Sequence, residues 1–298
     1  MTAVYTFRIL LIGASLAAAA EGPHEATIEM QGNVAFVRAT IGNSAPLDMA
    51  LDSGTKRTTL DEAVAAKLGF DLSMKAQSSG AKGMQEISVI RDQTLRFLRL
   101  DAAAPLLLAY PLEFVSKRVG RHIDGILGVE FLHKYVVEID YPARRVRAHL
   151  PDEFVYSGPG AILPVTYDDG LPVIAAMVTP FGGKPIAARL QVDSGGASAH
   201  VMFWKGFIER TDLAAGTRDL RDVQVTAFTG TTSQKQGRVQ SLQIGGIEVP
   251  EPEVGLNDYQ FSDPKAIDGN LGSGFLKQFK AIFDLPHNRL ILERPSGR

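Results

Sequence analysis

Apolar and polar residues alternate in short runs along this chain, and the runs come in matched pairs. Positions 33–41 are rich in β-formers, Gly42, Asn43 and Ser44 mark a turn, and positions 46–51 return as a strand that ends at Asp52. The second half repeats the design, with a strand over 171–178, a turn at 181–184 and a strand over 186–192 that ends at Asp193. After Asp52, a short helix is predicted through Ala63 to Leu68, with Thr59 as its cap, Asp61 and Glu62 at its positive end and Gly69 as its stop. The run Ser78, Ser79, Gly80, Ala81, Lys82, Gly83 reads as a hairpin tip, with Phe228 to Thr232 as its counterpart. Residues 21–32 read as a polar lead-in. The Gly- and Pro-bearing stretch around Tyr156 to Gly160 lies in a linker, 151–162. Short strands and turns outweigh helices throughout, which predicts an all-β, two-lobed protein with lobes at 21–150 and 163–298.

The repeat extends beyond the hairpins. Asp52-Ser53-Gly54-Thr55 and Asp193-Ser194-Gly195-Gly196 each close an apolar run. Each is followed by a second shared block. Asp124-Gly125-Ile126-Leu127-Gly128, then Phe131, Leu132, Tyr135 and Asp140, corresponds to Asp268-Gly269-Asn270-Leu271-Gly272, then Phe275, Leu276, Phe279 and Asp284. The second block recurs at an offset of 268 − 124 = 144, and the Asp-Ser-Gly copies at 193 − 52 = 141. A three-residue difference in one intervening loop reconciles the two offsets (144 − 141 = 3). A single Asp-Ser-Gly is a common turn sequence. Two copies, each followed by the same second block, point instead to a pair of carboxylates delivered by two copies of one unit.

Composition narrows the field. The chain has 298 residues, 45% of them hydrophobic and 21% charged, which suits a globular protein of two lobes. A net charge of −2 without long single-sign runs removes the electrostatic case for nucleic-acid binding. There is no cysteine, hence no disulfide and no thiolate metal site. The six histidines, at 24, 122, 133, 149, 200 and 287, show no ligand spacing, so neither a metal nor another cofactor is expected. At the start of the chain, Arg8, an apolar run from Ile9 to Leu16 and the small residues Ala17 to Ala20 form the three-part pattern of a secretory signal over 1–20. Export to the periplasm or medium is expected, with an uncleaved N-terminal anchor as the alternative.

Two carboxyl groups held together can share one proton. The ionised group takes a proton from water and the neutral one polarises a carbonyl, which is sufficient for peptide hydrolysis without a metal. Here the sequence resembles the aspartic peptidases of the pepsin and retropepsin group. Asp52-Ser53-Gly54-Thr55 and Asp193-Ser194-Gly195 match their Asp-Thr/Ser-Gly signature. Ile126-Leu127-Gly128 and Leu271-Gly272 are similar to the hydrophobic-hydrophobic-Gly element that closes each lobe's loop. The resemblance spans both lobes and implies a two-lobed acid-protease fold with Asp52 and Asp193 as the catalytic pair. It also implies that Ser53 and Ser194 brace the two loops, that Gly54 and Gly195 permit their close approach, and that the glycine-bearing hairpins act as flaps. The flap residues it suggests are Gly80, Gly83, Met84 and Gly230. A polypeptide substrate and activity as a monomer follow from the same likeness, since both lobes sit in one chain.

The chain departs from that pattern in three places. Position 196 is Gly where pepsin-type enzymes carry Ser or Thr, and without that hydroxyl the working pH range is expected to lie nearer neutrality. Asn270 stands where an apolar residue is expected, and the first flap candidate lacks a tyrosine. Asp124, Asp268, Asp140 and Asp284 are read as turn residues, and Trp204 as core. The competing reading is a catalytically weak or inactive peptide- or ligand-binding module on the same scaffold.

Overall fold

The computed structural model describes residues 24–80, 83–196, 199–227, 230–258 and 267–295. Positions 1–20, read above as an export signal, lie outside them. No helix among the described residues is long and apolar enough to cross a membrane.

The strand Val34–Ile41 buries almost every side chain, because it is covered on both faces. It turns at Gly42, whose φ of +55° few side chains tolerate, and pairs antiparallel with Leu47–Leu51, setting Phe36 opposite Ala50. This hairpin opens an eight-stranded sheet. From Leu47–Leu51 the order continues through Gly125–Leu127, Thr59–Asp61, Leu100–Tyr110 and Gly83–Phe97 to Lys75–Gly80. In the other lobe Ile186–Val192 is followed by Gly269–Leu271, Val201–Phe203, Glu253–Leu256, Gly230–Arg238 and Arg218–Ala227. The two orders correspond strand for strand, including one parallel pair beside each Asp-Ser-Gly loop. The all-β, two-lobed expectation is met.

Two local expectations need correction. The helix Glu62–Lys67 is capped by Asp61 rather than Thr59, with Asp61 Oδ1 accepting from the amides of Ala63 and Val64 at 3.0 and 3.3 Å. Thr59 lies in the preceding strand, where its hydroxyl donates to the Arg57 carbonyl. The polar lead-in contains two strands, His24–Thr27 and Glu29–Gln31, the first zipped onto Arg145–His149. The linker is docked as well. Pro151–Glu153 forms a 3₁₀ turn, and Phe154 and Tyr156 pack on Val136, Ile282 and Ile291.

Those three residues belong to a sheet built from both halves. Its order is His24–Thr27, Arg145–His149, Val136–Asp140, Lys280–Asp284, Arg289–Glu293 and Ala161–Pro164. The two central strands are antiparallel and place Glu138 opposite Ile282. These positions are equivalent in the repeat (282 − 138 = 144), so the pseudo-twofold axis passes between them. One continuous apolar cluster runs from Ile28 to Leu292 through both lobes.

Candidate active site

Each aspartate ends a central strand and is fixed by the neighbouring parallel strand. The Asp52 amide donates to the Leu127 carbonyl at 3.0 Å, and the Asp193 amide to the Leu271 carbonyl at 3.0 Å. The chain then turns sharply, with the Thr55 and Gly196 amides reaching back to the Asp52 and Asp193 carbonyls at 3.4 and 3.2 Å. Residues just past each closing glycine tether the turns from behind. The Val129 amide donates to the Thr55 carbonyl at 2.9 Å, and the Ser273 hydroxyl to the Gly196 carbonyl at 2.8 Å. Behind the first turn, Glu130 accepts from the amide and hydroxyl of Thr58; burial pushes its carboxyl above the ordinary range.

The two turns interlock across 141 residues of sequence. Ser53 and Ser194 are fully buried. The Ser53 amide donates to Ser194 Oγ at 2.9 Å, and the Ser194 amide to Ser53 Oγ at 3.0 Å. Each hydroxyl in turn donates a hydrogen bond to the opposite lobe, Ser53 to the Val192 carbonyl at 2.8 Å and Ser194 to the Leu51 carbonyl at 3.0 Å. Every donor and acceptor in this buried ring is satisfied, which makes it rigid. The glycines permit the approach. A Cβ on Gly54 would lie 2.6 Å from Asp193 Cγ, and one on Gly195 would collide with Asp52 Cγ.

Asp52 and Asp193 therefore face one another, each half-buried, with buried serines beneath them. Asp52 accepts from the Gly54 amide at 2.7 Å, the Thr55 hydroxyl at 2.7 Å and, from the other lobe, the Gly195 amide at 3.2 Å. Asp193 Oδ2 accepts from Asn270 Nδ2 at 2.6 Å. This bears on the expectation built on Gly196. The absent hydroxyl does not deprive Asp193 of a side-chain donor, because Asn270 supplies one. A serine at 196 would require the Asp193 side chain to shift, since a Cβ there would sit 2.7 Å from Asp193 Cγ. Tyr141 and Tyr110 complete the surroundings. Burial, reinforced by nearby Asp52, pushes both phenols well above their ordinary value, and Asp193 adds to the effect on Tyr141.

Comparison with known proteins bears on the family and the fold. Residues 37–131, which carry Asp52 and the first closing block, match the family described as Aspartyl protease. The fold is similar to that of an aspartic proteinase from Irpex lacteus at a TM-score of 0.57 and 14% identity, over 91% of this chain and 97% of that one. The resemblance is to the aspartic peptidases of the pepsin and retropepsin type. No curated protein matches the chain.

The remaining acids are structural, although Asp124 and Asp268, read as turn residues, reach across to amides of a neighbouring strand instead. Asp124 Oδ2 accepts from the Asp48 amide at 2.8 Å, and Asp268 Oδ2 from the Arg189 amide at 2.7 Å, equivalent positions in the repeat (189 − 48 = 141). Asp140 accepts from the Ala143 amide, while buried Asp284 holds His287 and Arg289. Trp204 packs with Val173, Met202 and Ile267. Among the described residues no cluster of three or more His, Asp or Glu could hold a metal. The flap candidates fall at hairpin ends, with Gly80 paired to Gly83 and Ala227 to Gly230, and Met84 beside Gly83 opposite Ser79. The intervening positions 81–82 and 228–229 lie outside the described residues. Sequence reasoning did not find Asn270 as a donor, nor Tyr141, Tyr110 and Glu130. The only signal was for Asn270, a polar residue where the repeat calls for an apolar one.

Proposed function

We propose that this protein is an aspartic endopeptidase that hydrolyses peptide bonds with a water activated by Asp52 and Asp193. One carboxylate acts as the base and the other as the acid. The ionised member takes a proton from water as the oxygen bonds to the peptide carbon. The protonated member donates to the carbonyl oxygen, and collapse of the tetrahedral species breaks the C–N bond as the amine takes a proton. The observation that carries this reading is the interlock. Each lobe's glycine is pressed against the other lobe's aspartate, an approach that only two such loops meeting head to head require. The substrate is a polypeptide laid over the pair, with Lys75–Gly80 and Gly83–Phe97 as one flap and Arg218–Ala227 and Gly230–Arg238 as a second. No metal or cofactor enters the reaction, the working unit is the monomer, and the protein acts after export.

Asp52→Asn and Asp193→Asn test the assignment. Each is expected to lower peptide cleavage by about 10²–10⁴-fold or more, with the thermal melt at or above that of the unaltered protein, because like-charge repulsion is relieved. Cleavage profiling on a proteome-derived peptide library, run beside both variants, reads the activity and its sequence preference together. Near-normal cleavage by either variant would overturn the dyad.

A further inference from the structure

Position 270 breaks the internal repeat. Its equivalent is Ile126 (270 − 144 = 126), which lies between Ala50 and Thr59 in the sheet. Asn270 lies instead between Gln191 and Met202. Asparagine is poorly suited to a central strand. Here its Oδ1 is buried without a hydrogen-bond partner, an arrangement that works against stability. What the residue does make is the 2.6 Å bond from Nδ2 to Asp193 Oδ2. In the other half Asp52 Oδ2 receives its side-chain donor from Thr55 Oγ1 at 2.7 Å. The equivalent of Thr55 is Gly196 (196 − 141 = 55), where a Cβ would require the Asp193 side chain to shift. Beside Asn270 in the sheet, Gln191 replaces Ala50 (191 − 141 = 50), and its Nε2 donates to the Gly54 carbonyl at 3.2 Å. The polar pair thus ties the second half of the site to both loops.

We infer that Asn270 is a positioning residue for Asp193, an amide donor from a neighbouring strand that does for the second aspartate what the Thr55 hydroxyl does for the first. It holds Oδ2 in place and favours the ionised carboxylate. The inference rests on the dyad reading above. Among the described residues, the following groups bear on the pair. Asp52 faces Asp193 across the site, and the Tyr141 and Tyr110 phenols are neutral through the range in which carboxylates titrate. Asp268, at the start of the Asn270 strand, is engaged by the Arg189 amide and by the Arg210 guanidinium. The acid limb of activity therefore reports the aspartate pair.

Two variants test the inference, Asn270→Ile, which installs the residue of the other half, and Asn270→Asp, which keeps the shape and removes the amide donor. Removing the donor is expected to move the acid limb of the pH–rate profile up by about one pH unit, with kcat falling more than KM changes. Asn270→Asp moves it further by adding a second negative charge. Asn270→Ile should melt at or above the unaltered protein, since an orphaned buried acceptor is gone. Carboxyl NMR titration of aspartate-labelled protein, assigned with Asp193→Asn, reads the same shift without turnover. An acid limb and an Asp193 titration unchanged in both variants would overturn the inference. Absence of any Asp52- and Asp193-dependent cleavage in the unaltered protein would instead overturn the proposed function, and the NMR titration would still decide whether Asn270 governs Asp193.

Discussion

Ser53 and Ser194 show how much a short side chain does when it is buried between two loops. Each hydroxyl accepts an amide from the opposite turn and donates to a carbonyl of the opposite strand. Ser53→Ala and Ser194→Ala are each expected to cost about 1–3 kcal/mol, because each leaves a buried amide and carbonyl unpaired. The double variant should cost less than the sum, since loss of either hydroxyl already loosens the loop contact on which the other's bonds depend. Chemical denaturation of the three variants measures this coupling, and strict additivity would mean that the two serines act separately. That a pair of aspartates exists was legible from the duplicated motif. That the glycines let the two loops approach came only with the family resemblance, because a contact across 143 residues leaves no trace in local sequence.

Among the elements, the strand–turn units that deliver the aspartates depend on a second carboxylate at the far end of the neighbouring strand. Asp124 and Asp268 anchor the Asp48 and Arg189 amides within these strands. The Asp268 side chain is 9% exposed against 23% for Asp124, and it also holds Arg210. Asp268→Ala is therefore expected to be the more destabilising, near the upper end of about 1–3 kcal/mol, and Asp124→Ala nearer the lower. Both should leave the activity per folded molecule largely intact. Melting curves and active-site titration check this, and a loss of turnover without a loss of stability would give either acid a direct part in the chemistry. The hairpins and the helix were readable from periodicity and glycine placement, but the cap was not. Thr59 and Asp61 are both competent cap residues, and the choice between them turned on Thr59 being drawn into a strand with Leu108.

For the molecule as a whole, the six-stranded sheet is the joint between lobes, and Glu138 lies on its axis. Burial raises the Glu138 carboxyl, but the His149 hydrogen bond and the charges of His149, Lys280 and Arg147 together outweigh it, and the net effect is a lowering below the ordinary 4.5. A lowered carboxyl contributes stability above its ordinary value and loses it as pH falls through the folded-state value. Glu138→Gln should thus lower the melting temperature at pH 7, with the difference closing in acid below 4.5. Equal differences at both pH values would refute the linkage. The same sheet joins the two aspartates within one chain, so specific activity should hold constant on dilution well below micromolar, with adsorption controlled. A loss on dilution that is recovered on concentration would show an oligomeric active unit.

By itself the amino-acid sequence determined the duplication, the strand-and-turn character of both halves, and which two carboxylates would be offered as a pair. These follow from local periodicity and from a repeat that can be counted along the chain. Only the tertiary structure decided how the halves meet. It zipped the supposed lead-in at His24–Thr27 onto Arg145–His149, laid Phe154 and Tyr156 of the linker on the shared sheet, and locked the serines in a reciprocal ring. It also turned Asn270, an oddity in the pattern, into a donor for Asp193. All of these depend on groups far apart in sequence finding each other at hydrogen-bond distance, and their energies exist only once both lobes are folded and the intervening water has been excluded.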